Sequence, residues 1–196
     1  MKIKVIIMIF LTISILGIGF LTFYKGEKTM AEANNSNKKT LVAYFSRTGE
    51  QYSVGNIKEG NTAIIAKMIA EKTGADLFEI KVVNDKYPSE YNALVEYAKK
   101  EKQQNARPEI EGLVDNFDDY DTIFIGYPNW WGDMPMPVYT FIESYNFSDK
   151  KIHHFCTHEG SGGVKRDGFA IYGHIAQKQK AEADKKVSEW MKGLGF

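Results

Sequence analysis

The sequence predicts an α/β fold, a doubly wound parallel sheet of five strands with helices on both faces. Short apolar runs of strand length alternate with stretches whose apolar residues recur at helical spacing. The run Thr122–Tyr127 is continuously apolar, as in a strand covered on both sides. The three loops of unusual composition each follow a strand, at the sheet edge where such folds bind ligands.

The elements follow in order. Thr40–Phe45 is the first strand. Thr62–Lys72 carries Ile64, Ile65, Met68 and Ile69 on one helical face, and Gly74 ends that helix. Ala75–Val83 is the second strand, with Leu77, Phe78, Ile80, Val82 and Val83. Pro88-Ser89 opens a helix in which Tyr91, Leu94, Val95 and Ala98 share a face, and Arg107-Pro108 lies past its end. The acidic stretch Asp115–Asp121 is a solvated approach to the third strand, Thr122–Tyr127. Pro137–Tyr145 is a short helix begun by proline. Lys151–Thr157 and Gly168–Tyr172 are the fourth and fifth strands, and Ala176–Lys192 is the closing helix.

The chain has 196 residues, enough for one sizeable domain. Lys plus Arg and Asp plus Glu each number 25, so the net charge is zero and nothing favours nucleic acid as a partner. Cys156 is the single cysteine, which rules out an internal disulfide.

Met1–Tyr24 stands apart. Lys2 and Lys4 precede an uncharged, mostly apolar run from Val5 to Tyr24, about the 20 residues that cross a bilayer. It reads as a signal peptide or as a retained membrane anchor, and the basic start puts the following domain outside the cytoplasm. Residues 25–39, rich in Asn, Lys, Ser and Ala, form a flexible linker to the domain at 40–196.

The loop after the first strand offers Ser46, Arg47 and Thr48, then Asn61 and Thr62 at a helix start. Hydroxyls, an amide and unpaired first-turn N–H groups suit a phosphate. Gly55–Thr62 is spaced like the P-loop of nucleotide triphosphatases, but Asn61 stands where the phosphate-binding lysine belongs, which argues against that class. No aspartate cluster ends the strand, so a magnesium-dependent receiver domain does not fit either. The loop after the third strand, Pro128, Asn129, Trp130, Trp131, Gly132, sets two tryptophans among prolines. One indole packs inward and the other is free to stack on a flat ligand. The loop after the fourth strand, Thr157, His158, Glu159, Gly160, Ser161, Gly162, has glycines that let backbone donors approach the polar edge of a ring. His153 and His154 alternate across a strand and lack metal-ligand spacing with His158. Cys156 reads as a small buried residue.

A phosphate seat, a stacking indole and a glycine-rich polar edge together describe a site for flavin mononucleotide (FMN). The motifs Tyr44-Phe45-Ser46-Arg47-Thr48-Gly49, Pro128-Asn129-Trp130-Trp131-Gly132 and Cys156-Thr157-His158-Glu159-Gly160-Ser161-Gly162 resemble those of the flavodoxin family, from Thr40 to about Phe196. The resemblance implies a flavodoxin-like sheet of order 2-1-3-4-5, an order general to this fold class. It also implies noncovalent FMN. The phosphate would be held by the Ser46–Thr62 loop and the ring by Pro128–Met134 and Thr157–Gly163.

Two departures stand out. Glu50–Gly60 interrupts the family's compact phosphate motif. About ten residues join the fourth and fifth strands, fewer than the dozen or more a parallel crossover takes, so the family's helix there is missing. Its loss is expected to expose one sheet face, or to leave the fifth strand shifted or swapped.

The functions this implies fall in different classes. One is an electron carrier passing electrons between redox partner proteins. Another is an FMN-dependent NAD(P)H oxidoreductase acting on a small quinone-like acceptor. A third is a flavin-less binding module. No separate nicotinamide-binding half is visible, which favours the carrier. The near-neutral charge weighs against it, because carriers often dock through an acidic face.

Overall fold

The structure is a computed structural model that describes residues 39–162 and 168–196. The N-terminal segment at 1–24 and nearly all of the linker lie outside the described residues. Lys39, expected at the linker's end, instead begins the first strand. Among the described residues no helix is long and apolar enough to cross a membrane.

Strands β1 (Lys39–Tyr44), β4 (Asp76–Glu79), β5 (Tyr120–Pro128), β6 (Lys151–His158) and β7 (Phe169–Tyr172) form one sheet, ordered β4-β1-β5-β6-β7. Every pairing in it is parallel. This is the expected order 2-1-3-4-5, counting only strands of the main sheet. Helix α1 (Asn61–Thr73) follows the first strand, α2 (Tyr91–Gln103) the second and α3 (Met136–Glu143) the third. Two helices, α4 (Gly173–Lys178) and α5 (Lys180–Leu194), close the chain.

The sheet divides two cores, because side chains alternate across each strand. On one face Val42, Phe124, Phe155 and Ile171 pack against α1, α4 and α5 through Ile65, Ile69, Ala176, Val187 and Met191. On the other, Leu41, Ala43, Ile123, Ile125 and Cys156 meet Leu94 of α2 and Val138 and Phe141 of α3. Gly126 is required where it stands. A Cβ there would lie 2.0 Å from the ring of fully buried Phe155.

Within the domain the structure departs further from the sequence expectations. Residues of the Glu50–Gly60 insertion pair as a small antiparallel hairpin, β2 (Gly49–Gln51) with β3 (Gly55–Ile57). The second strand ends at Glu79 rather than Val83, because Val82 bridges antiparallel to Ile110. The closing helix is two helices. Backbone angles at Gln179 (φ −131°, ψ 53°) leave the helical region between them.

Finally, the fifth strand is neither swapped nor shifted. It lies in parallel register on β6, from Phe155 beside Phe169 to His158 beside Tyr172. Phe169 stacks on Trp190 of α5, with ring centroids 5.0 Å apart, and Ile171 is buried. Ten residues, 159–168, link β6 to β7, and no helix is described among them. On the sheet face away from α4 and α5, Ile152 is 39% and Tyr172 42% exposed.

Candidate functional site

A cavity of about 370 Å³ lies at the carboxyl ends of β1, β5 and β6. Its first wall is the start of α1. Gly60 precedes that helix in extended conformation, no side chain caps it, and no acidic residue sits in its first turn. Such an end presents unpaired N–H groups and the positive end of the helix dipole. The Ala63 N–H is the exception, donating to Ser46 Oγ at 3.1 Å. Gly60 lets the two segments touch, since a Cβ there would stand 2.1 Å from Ser46 Oγ and 2.7 Å from the Arg47 carbonyl oxygen. Thr62 is 1% exposed, and its hydroxyl is bonded to that of buried Thr157 at 2.9 Å, which ties the start of α1 to β6.

Arg47 lines the cavity, but its charge is directed elsewhere. Its guanidinium pairs with Asp85, donates to the Tyr87 carbonyl oxygen at 3.1 Å and lies over the Tyr87 ring. Thr48 is exposed and lies outside the cavity; its carbonyl oxygen accepts from Gln51 Nε2.

The second wall is a tight turn. Trp130 and Asp133 exchange backbone hydrogen bonds of 3.0 and 3.1 Å, and Trp131 and Gly132 between them both have positive φ, 54° and 73°. This pattern displays the middle residues at a tip. Trp130 packs inward, edge-on to Phe45 and Tyr87 at 5.5 Å each. Trp131 is 47% exposed, its Nε1–H donates to the Val95 carbonyl oxygen at 3.0 Å, and Lys99 sits over its ring. One indole packs inward, as expected, and the other stands at the rim. Asp133 steadies the turn. Burial opposes its ionisation, but hydrogen bonds from Tyr139, the Met134 N–H and Lys102 outweigh that and hold its carboxyl below the usual range.

The third wall is the loop after β6. The Asn129 N–H donates to the Thr157 carbonyl oxygen at 2.9 Å, and Asn129 Nδ2 donates to Ser161 Oγ at 3.1 Å and to the Gly162 carbonyl oxygen at 2.7 Å. Gly160 and Gly162 have φ of 88° and 81°, which explains glycine at both positions. Neither lines the cavity. The Gly160 N–H donates to His158 Nδ1 at 3.1 Å and is thus already engaged. Burial holds His158 below the usual imidazole range, with Glu159 opposing, so the ring is neutral at pH 7. Burial also pushes the Cys156 thiol up to about 12, which keeps it out of redox and nucleophilic chemistry at neutral pH.

Pro128, Asn129, Trp130, Trp131, Gly132, Thr157, His158, Glu159 and Ser161 thus join Ser46, Arg47, Asn61 and Thr62 around one cavity. Sequence reasoning missed its remaining wall. Gln51 and Tyr52 of the hairpin and Tyr91, Leu94, Val95 and Ala98 of α2 line it as well. Tyr52 and Tyr91 lie with ring centroids 5.7 Å apart. Glu50 joins the two pieces, because its carboxylate accepts the Tyr91 N–H at 2.9 Å and its own N–H donates to the Ser89 carbonyl oxygen at 3.2 Å. The one available signal was the shared helical face of Tyr91, Leu94, Val95 and Ala98, which reads equally well as core.

The residues fit a flavin phosphate ester. The uncapped helix start suits the phosphate, and the apolar wall with its exposed indole suits a flat ring. Among the described residues Asn61 Oδ1 and Asn129 Oδ1 are buried without partners; Asn129 Oδ1 can accept from a ring N–H, whereas a phosphate calls for the NH2 side of the Asn61 amide.

Fold and site together define a doubly wound α/β domain with a phosphate-and-ring cavity at its carboxyl edge. The family model of flavodoxin matches residues 39–172, and the chain belongs to that family. A candidate flavoprotein from Bacteroides eggerthii is 26% identical over 82% of this chain and 99% of its own, with a TM-score of 0.58. Another, from Bacteroides uniformis, is 27% identical over 80% and 99%, also at 0.58. A Lactobacillus acidophilus flavoprotein solved in complex with FMN has the same fold, at 24% identity over 79% and 99% and a TM-score of 0.54. No curated protein sequence matches the chain.

Proposed function

We propose that this flavodoxin binds FMN noncovalently and carries electrons between redox partner proteins. The observation that carries the reading is one cavity joining an uncapped helix start to an exposed indole. Ser46, Asn61 and the first turn of α1 hold the phosphate. Trp131 and the loops at 128–132 and 157–162 hold the ring. FMN supplies the electron-carrying chemistry when bound. The protein tunes it: an indole face disfavours added negative charge on the ring, and backbone donors favour it.

Arg47 is the one Lys or Arg among the described lining residues, and Asp85 already engages it. No separate nicotinamide-binding half is visible in the sequence, which supports the carrier over a reductase. The basic, apolar start of the chain supports a place outside the cytoplasm, on a membrane if that segment is retained. A reductase acting on a small quinone-like acceptor is the second reading, favoured by the apolar wall of Tyr52, Tyr91, Leu94 and Val95.

The test is to mix the FMN-loaded chain with NADH or NADPH and a benzoquinone, with no other protein present. The carrier consumes neither nucleotide. Turnover of either one overturns the carrier in favour of the reductase.

A further inference from the structure

The connection from β6 to β7 is ten residues long, and no helix is described in it, yet its first residues stay over the cavity. Glu159 explains why. Its carboxylate is held by α4, with one oxygen accepting the His174 N–H at 2.7 Å and the other facing His174 Nδ1 at 2.9 Å. His174 is the second residue of α4. The first, Gly173, touches the phosphate seat. A Cβ there would stand 2.3 Å from Asn61 Nδ2 and 3.1 Å from Glu159 Oε1. One turn on, Gln177 Nε2 donates to the Glu59 carbonyl oxygen at 2.6 Å, just before α1. Neither Gly173 nor His174 lines the cavity.

We propose that the Gly173-His174 step is a positioning element of the cofactor site, fixing Asn61 and Glu159 at one separation. The proposal rests on the FMN reading. Without that tether the loop at 157–162 would sample more conformations, and binding would have to order it. Ordering backbone costs conformational entropy, so a loop tethered in advance binds more tightly. The glycine is informative because α4 itself does not call for one, alanine being the better helix former. Gly173 is therefore not there for α4; it leaves room for the Asn61 amide and the Glu159 carboxylate.

The experiment uses the full chain and three variants, Gly173→Ala, Glu159→Ala and Glu159→Gln. FMN affinity is read by quenching of flavin fluorescence, and amide exchange of residues 157–162 is read in the flavin-free protein. Gly173→Ala and Glu159→Ala are expected to weaken FMN binding ten-fold or more, with the melting temperature of Gly173→Ala unchanged or raised. Glu159→Gln still accepts the His174 N–H and should recover most of the affinity lost in Glu159→Ala. The loop amides should exchange at least ten-fold faster in Glu159→Ala. Wild-type affinity in both alanine variants, or unchanged loop exchange in Glu159→Ala, overturns the proposal. A wild-type chain that binds no FMN overturns the FMN reading instead, and the exchange measurement still reports on the tether.

Discussion

Adjacent tryptophans in this chain do different jobs, and the turn between them decides which does what. Trp130 points into the core beside Phe45 and Tyr87, whereas Trp131, at positive φ, faces the rim. Trp130 is half-buried and also lines the cavity, so replacing it with alanine should lower folding stability by about 2 kcal/mol, less than a fully buried large-to-small change, and disturb the site as well. Replacing Trp131 should leave the urea midpoint nearly unchanged and weaken FMN binding two- to ten-fold, in line with about 0.5–1.5 kcal/mol for aromatic stacking. Equal effects of the two substitutions on stability would remove the distinction. At this scale the site was largely legible. Ser46, Asn61, the Trp pair and Asn129 announce themselves by chemistry. Thr48 and the Gly160 N–H did not follow, because a motif gives residue types and not the direction in which a group points. Thr48 faces solvent, and the Gly160 donor is taken by His158.

The elements show where pattern reading succeeds and fails. The apolar runs at β1 and β5 were legible because burial on both faces leaves little polar interruption. The β2–β3 hairpin was not, since strands of three residues carry too little periodicity to detect. The break at Gln179 has neither glycine nor proline to mark it. The fifth strand survives its shortened crossover through packing from the opposite side, above all the Phe169–Trp190 stack. Trp190→Ala should thus loosen β7 ahead of the rest. Amides of residues 169–172 are expected to lose exchange protection first, while β1 and β5 keep theirs. Uniform loss across the sheet would show that the stack is one core contact among many.

At the scale of the whole molecule, strand order and the placement of three loops on one rim followed from simple alternation, which is why the fold was legible before its details. Stability should also respond to pH in a defined way. Burial holds His153, His154 and His158 below the ordinary imidazole value. The unfolded chain then takes up protons below about pH 6.5 that the folded chain refuses, so stability is full above that pH and falls as pH drops from about 6.5 towards 5. Urea unfolding of the flavin-free protein across that window should show the decline, and His154→Gln should flatten it. A flat profile in the parent chain would mean that these imidazoles titrate normally in the folded state.

All of these readings presuppose that the rim holds a flavin. The deciding measurement is the visible spectrum of the purified full chain, before and after incubation with excess FMN and removal of what stays free. The expected result is a yellow protein retaining one FMN per chain. A preparation that remains colourless after that incubation would contradict it.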